Sequence, residues 1–268
     1  MSKLYKSIAR LVGIGLAVIF CTGALAALQM PVSAQAETTP YNWYFKKNTE
    51  NKRPPLPSEF SFIERYGGYW LDKNTVGDKV IYLTFDAGYE NGNVEKIVDT
   101  LDRHGAKGAF FILDNLIIRN RALVQKMIDD GHLVCNHTSK HPDMSAITSR
   151  DLFERQLSDL EKLYESTFGV KMAPYYRPPS GRFSEQNMRW TNELGYKTIF
   201  WSFAYADWDN NRQPDPAASI ERIMTHTHDG MVILLHPTGA TNAAIMDELL
   251  TRWKAQGYRF GTLDELVK

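Results

Sequence analysis

The chain has 268 residues, with 31 Lys and Arg against 31 Asp and Glu, 43% apolar residues, 12% aromatic residues and two cysteines. This composition excludes a disordered chain, a coiled coil and a disulfide-stapled mini-protein, and the length suffices for one large α/β domain or two small ones. Residues 1–36 carry Lys3, Lys6 and Arg10 and no acid, so the remainder counts 28 basic to 31 acidic side chains, a balance that argues against nucleic acid as a partner.

Those first 36 residues read as a signal peptide: a cationic start, an uncharged run over 11–28, and Ala34-Gln35-Ala36 as a small-residue cleavage site. The run is also just long enough to span a bilayer, so retention as a membrane anchor stands beside cleavage and release to the cell envelope or exterior. In either case the membrane is touched only through this segment. Cys21 is a passive member of the run, because Phe20 stands where a lipoprotein signal wants a small residue. Without the segment Cys135 is alone, so the mature domain forms no internal disulfide and relies on its core.

Residues 37–57 are polar and hold Pro40, Pro54, Pro55 and Pro57, which predicts a spacer. The cluster Tyr41, Trp43, Tyr44 and Phe45 is expected to pack on the domain surface rather than stand in water. The whole stretch 37–78 is taken as an N-terminal extension and 79–268 as the main domain. From residue 80 onward, short apolar runs alternate with segments of helical periodicity. Strands are predicted over 80–85, 109–113, 133–136, 175–177, 198–201, 232–235 and 258–260, and helices over 94–104, 122–129, 151–167, 185–194, 216–226, 243–256 and 263–267. Thr148 is the expected cap of the third helix, and Gly105, Gly131, Gly169, Gly195 and Gly257 each follow a helical run as its stop signal. Seven β-α alternations predict an α/β fold with parallel strands, a single distorted (β/α) barrel rather than an open doubly wound sheet. No glycine-rich phosphate loop follows the first strand.

In such a fold the chemistry gathers at the carboxyl ends of strands. There the sequence places Asp86, His137 with His141, Arg177, Asp207 and His236. Singly each has an ordinary explanation: Asp86 as a loop cap, Arg177 and Asp207 as a salt bridge, His236 as a core histidine. The spacing of His137 and His141 puts two imidazoles on one side of a helical turn, as in paired metal ligands. His104, His132, His226 and His228 flank helix ends and are assigned no chemistry. Together the strand-end residues supply a metal-assisted hydrolysis of an amide or ester: two imidazoles for a divalent ion, Asp86 as base, His236 as acid, and an Arg177–Asp207 pair to tune the base.

The series Thr84-Phe85-Asp86-Ala87-Gly88, His137-Thr138-Ser139-Lys140-His141, Arg177-Pro178-Pro179-Ser180-Gly181, Ala206-Asp207-Trp208 and Leu234-Leu235-His236 resembles, in order, the five motifs of the polysaccharide deacetylase (NodB-homology, carbohydrate esterase) family over residues 79–268. The resemblance implies a distorted (β/α) barrel that removes an N-acetyl group from an amino sugar with a metal-activated water. By position it implies Asp86 as base, His137 and His141 as metal ligands, Arg177 and Asp207 as the tuning pair and His236 as acid. Two positions depart: Ala87 and Ala204 stand where the family has Asp. Loss of the ligand at 87 implies that a divalent ion, zinc or similar, is weakly held. Thr84 to Gly92, with the aromatic extension, looks most like the peptidoglycan N-acetylmuramic acid deacetylases that prepare muramic δ-lactam for the spore cortex, which implies the peptidoglycan glycan strand as partner. The alternatives are N-acetylglucosamine deacetylation in peptidoglycan or chitin-like glycan, and a non-catalytic glycan-binding module that has lost its metal. Aromatic residues Trp201, Tyr205 and Trp208 are expected either along a sugar groove or in the core.

Overall fold

Turn residues separate almost every apolar run from the next helix, and the structure follows that alternation. A computed structural model describes residues 37–47 and 51–268; the expected signal or anchor segment lies outside the described residues. In chain order the elements are β1 (Tyr41–Asn42), β2 (Gly68–Tyr69), β3 (Val80–Ala87), α1 (Val94–Arg103), β4 (Gly108–Ile112), α2 (Asp114–Arg119), α3 (Arg121–Asp129), β5 (Leu133–Asn136), α4 (Arg150–Phe168), β6 (Ala173–Tyr176), β7 (Arg182–Phe183), α5 (Glu185–Glu193), β8 (Lys197–Ile199), α6 (Pro216–His226), β9 (Met231–Leu235), α7 (Ala240–Ala255), β10 (Arg259–Phe260) and α8 (Leu263–Leu266). Thr38–Lys268 forms one compact unit, and among the described residues no helix is long and apolar enough to cross a membrane.

The main sheet is parallel. β9 pairs with β3, β3 with β4, and the order continues through β5, β6 and β8 to β2, while β10 pairs with the first residues of β3. Past β8 the chain turns back to β9 through a bridge between Phe203 and Ile233, so the sheet curls into a distorted (β/α) barrel. The side-chain period of two divides β3 between two layers. Ile81, Leu83, Phe85 and Ala87 face the helices and join a core with Val94, Ile97, Val98 and Leu101 of α1. Val80 and Tyr82 face the barrel interior with Phe111, Cys135, Ile199 and Val232. Thr84 and Asp86 continue that inner row, so polar groups cap an apolar interior.

Helix ends depend on local chemistry. α4 begins at Ser149, not Thr148: the Ser149 side chain accepts from the Leu152 N–H, and Gly169 at φ 71° ends the helix in the left-handed conformation that costs a glycine least. Four short elements carry little periodicity and are unforeseen in the sequence: α2, β2 and the antiparallel pair β1–β7.

The N-terminal extension 37–78 packs into the fold, Trp43 of its proline-rich part included. β2 is an edge strand of the main sheet, and Trp43, Phe60, Ile63, Trp70 and Leu71 form a buried cluster with Phe183, Met188 and Phe200. Trp43 stacks on Phe200 at 4.3 Å between ring centroids and donates its indole N–H to the Trp201 carbonyl at 2.9 Å. Tyr44 stays exposed. Trp43→Ala removes a large, fully packed side chain and is expected to lower the unfolding free energy by about 3–5 kcal/mol. Urea unfolding measures it; a loss within error would return the segment to the status of a spacer.

Candidate active site

The structure brings the five strand-end motifs to one rim of the barrel. Asp86 is the penultimate residue of β3, His137 follows β5, Arg177 follows β6, and His236 follows β9, whereas Asp207 comes from the loop beyond β8. A cleft of about 510 Å³ opens there, lined by Asp86, His141, Trp201, Tyr205, Trp208 and His236. That volume suits a ligand of a few rings.

Arg177 has no exposed surface. Its Nη1 donates to Asp86 Oδ1 at 2.8 Å, Nη2 to Thr84 Oγ1 at 2.7 Å, and Nε to the Ile199 carbonyl at 2.9 Å. Its guanidinium lies 4.2 Å from the Phe111 ring centroid. The expected Arg177–Asp207 pair is therefore not formed. Arg177 and Asp86 both belong to the barrel's interior, while Asp207 arrives from the loop and meets His236 instead. Burial alone would raise the Asp86 pKa; the charges of Arg177, His137 and His236, with the Arg177 hydrogen bond, outweigh it and hold the carboxyl below its ordinary value.

On the opposite wall His236 Nδ1 donates to Asp207 Oδ1 at 2.7 Å, and the His236 backbone N–H donates to Oδ2 at 2.9 Å. This leaves Nε2 as the free ring nitrogen. Burial would lower the His236 pKa, but the hydrogen bond and charge of Asp207, aided by Asp86, raise it above the ordinary histidine value. Trp208, exposed at the cleft mouth, meets the His236 ring edge to face at 6.3 Å.

His137 and His141 come together, with ring centroids 5.1 Å apart, but no helical turn carries them. The segment is a loop in which Thr138 and His141 adopt φ of 72° and 57°. Asn136 imposes it: its side chain accepts from the Thr138 N–H at 2.8 Å and donates to the Leu157 carbonyl at 3.0 Å, while Thr138 Oγ1 accepts from the His141 N–H at 2.9 Å. His137 is buried and His141 exposed. His137 Nδ1 donates to the Arg177 carbonyl at 2.8 Å, which leaves Nε2 as an acceptor facing Asp86 Oδ2 at 3.5 Å. Burial pushes His137 down to about 4, so the ring is neutral at physiological pH.

Two imidazoles, one of them neutral and oriented by a carbonyl behind it, suit a divalent ion. Two acceptors facing each other likewise call for a cation or a bridging proton. A third ligand is not supplied in the same way. Ala87 offers a buried methyl to the helix-facing core, and the Glu90 carboxylate caps α1, accepting from the Glu95 N–H at 3.0 Å and from Gly92. Among the described residues no group of three His, Cys, Asp or Glu side chains converges as a metal site. The donor set thus fits an ion held by two protein nitrogens.

The remaining histidines stay outside the site. His104 meets Asp247 at 3.0 Å. His132 and His228 are buried and pushed down to about 4 by burial, so His228 is a neutral core group bonded to Ser202 rather than a cation at a helix end. Thr84, part of the first motif but given no role there, lies two residues before Asp86 on the same strand face, and that parity is the signal that marks it.

The sequence profile of the polysaccharide deacetylase family matches residues 73–199. The chain is also 36% identical, over 239 residues that span 88% of it and 90% of the relative, to the peptidoglycan-N-acetylmuramic acid deacetylase PdaA of Bacillus subtilis strain 168. The chain belongs to the polysaccharide deacetylase family. It is a hydrolase of the N-acetyl amides of amino sugars. The solved structure of Bacillus subtilis PdaA, a family 4 carbohydrate esterase, superposes with a TM-score of 0.81 over 85% of this chain and 97% of that one. A family 4 carbohydrate esterase from Bacillus anthracis, 31% identical, gives 0.71 over 86% and 97%.

If Asp86 acts as the anion and His236 as the cation, kcat/KM should fall as pH drops through about 4, where His137 protonates, and again as Asp86, held below its ordinary value, does, and it should fall as pH rises past the elevated His236 value. Asp207→Asn leaves burial acting on His236 with only Asp86 to oppose it, so the alkaline limb should move down. A pH–rate profile checks this, and an unmoved limb would detach Asp207 from the proton donor.

Proposed function

We propose that this chain is an exported peptidoglycan N-acetylmuramic acid deacetylase that prepares muramic δ-lactam for the spore cortex. The observation that carries the reading is its likeness to PdaA of Bacillus subtilis along nearly the whole of both chains, extension included, together with an Asp and a His facing one cleft. Export rests on the cationic and apolar pattern of residues 1–36. Trp201, Tyr205 and Trp208 along the cleft give the apolar faces of sugar rings a surface to lie on.

Arg177 occupies Asp86 Oδ1, which leaves Oδ2 to take a proton from the attacking water. The water oxygen bonds to the acetyl carbon, the carbon–nitrogen bond breaks, and His236 Nε2 gives its proton to the departing nitrogen, releasing acetate and a free amine. Asp207 keeps the His236 ring turned with Nε2 available. A divalent ion on His137 and His141 would polarise the acetyl carbonyl and ease deprotonation of water. Because two imidazoles alone, among the described residues, would hold it, activity should rise with excess divalent metal and vanish with chelator. His137→Ala should abolish metal uptake in calorimetry while His236→Ala leaves it intact; metal lost from the second variant would make His236 a ligand.

Mass spectrometry of glycan strands with peptides removed from their muramic acids tests the function. The expected product is muramic acid with a free amine, and Asp86→Asn should form it about 10² to 10⁴ times more slowly. Acetate accompanied only by glucosamine would instead favour N-acetylglucosamine deacetylation, and no release at any metal concentration would favour a glycan-binding module.

A further inference from the structure

Asp207 carries more contacts than a single partner to His236 requires. The Asn242 side chain, in the first turn of α7, has no exposed surface and donates both of its Nδ2 hydrogens, to Asp207 Oδ2 at 2.7 Å and to the His236 carbonyl at 2.9 Å. Its Oδ1 accepts from the Tyr205 hydroxyl at 2.5 Å. The opposite amide orientation would set Oδ1 against two acceptors and waste the Tyr205 donor, so the network admits one orientation.

We infer that Asn242 is a positioning residue that aims the Asp207–His236 pair at the cleft, and that Tyr205 holds Asn242 in the orientation this needs. The inference rests on His236 being the proton donor proposed above. Asp207 Oδ2 receives the His236 backbone N–H and the Asn242 amide, which pins one carboxylate oxygen and presents the other, Oδ1, to the imidazole. Without Asn242 the carboxylate is free to rotate and the ring it orients loses its fixed direction. Substrate is not touched by Asn242, so its loss should appear in kcat and not in KM. The charged groups that act on His236 are Asp207 in direct contact and, through space, Asp86 and Arg177; Asn242 touches only the first.

The test is steady-state deacetylation of glycan strands with peptides removed, for Asn242→Ala, Asn242→Asp and Tyr205→Phe, each alone and combined with His236→Ala. Asn242→Ala is expected to lower kcat about 10-fold or more, the range of one hydrogen bond to a charged group, with KM within about twofold and the alkaline limb of the pH profile moved down. In the His236→Ala background the same change should have no further effect, because its route to the reaction is gone. Asn242→Asp keeps the acceptor for Tyr205 and sets a second carboxylate against Asp207; its activity should be lost at neutral pH and partly return at acidic pH, where the pair shares a proton and can donate again. Losses that multiply with His236→Ala, or a raised KM at unchanged kcat, would overturn the inference. If both Asn242 variants fail to fold, Tyr205→Phe decides: a kcat lowered threefold or more that vanishes with His236→Ala supports it, and an unchanged kcat sinks it. Full activity of His236→Ala alone would instead remove the proton-donor reading on which it stands.

Discussion

A guanidinium without exposed surface is the constraint on which the rim of this barrel depends. A buried arginine is tolerated only when its charge is neutralised and its donors are used, and Arg177 meets both conditions with Asp86, Thr84 and the carbonyls of Ile199 and Phe200. Those partners lie on β3 and at the end of β8, while Arg177 itself follows β6, so one side chain ties three strands across the interior. Phe111 of β4 closes the face of the guanidinium. Removing either charge would strand the other in the interior at a cost of about 3–5 kcal/mol. The carboxylate that neutralises the arginine is also the one proposed as the base, so on that reading the packing of the barrel top and the first proton transfer share a single ion pair.

The same residue works through its backbone. The Arg177 carbonyl takes the His137 Nδ1 hydrogen, which fixes the tautomer and turns Nε2 toward Asp86. Side chain and main chain of one residue thereby orient both the Asp86 carboxylate and the buried imidazole. An exposed His141 is the adaptable member of the pair, set by a backbone in the left-handed region that Asn136 and Thr138 hold in place.

Much of this was legible in the sequence, and the parts that were not have physical reasons. Strands such as β5 and β9 and helices such as α6 stand out because their apolar runs are bounded by turn residues; the five glycines read as helix stops all have φ between 60° and 87°. The strand-end acids, histidines and arginine stand out as a set. Their pairing does not, because it depends on sheet curvature: Arg177 and Asp207 are both compatible with a salt bridge until the barrel interior claims one and the loop after β8 delivers the other to His236. The loop at His137 hides behind helix-like spacing, since left-handed φ at a threonine and a histidine has no composition signature. Trp43 belongs to a proline-rich stretch whose composition suggests a spacer; its aromatic cluster is expected to pack on the domain surface, but how deeply Trp43 is buried shows only in its stacking on Phe60 and Phe200.

The two sides of the cleft are supported in different ways. Asp86 stands on a central strand with β4 and β9 as neighbours, so its position is a property of the sheet. Asp207 and His236 are joined by side-chain hydrogen bonds between a loop and a strand end, backed by the first turn of α7. A sheet fixes its residues through a backbone ladder that few side chains alter, whereas a hydrogen-bonded network is only as rigid as its members are satisfied. Variation among related deacetylases that leaves Asp86 in place but redirects His236 is therefore expected on the Asp207 side, in the loop after β8 and along the start of α7. The strand that carries Asp86 has no comparable freedom, because each of its residues is committed to the interior or to the helix layer.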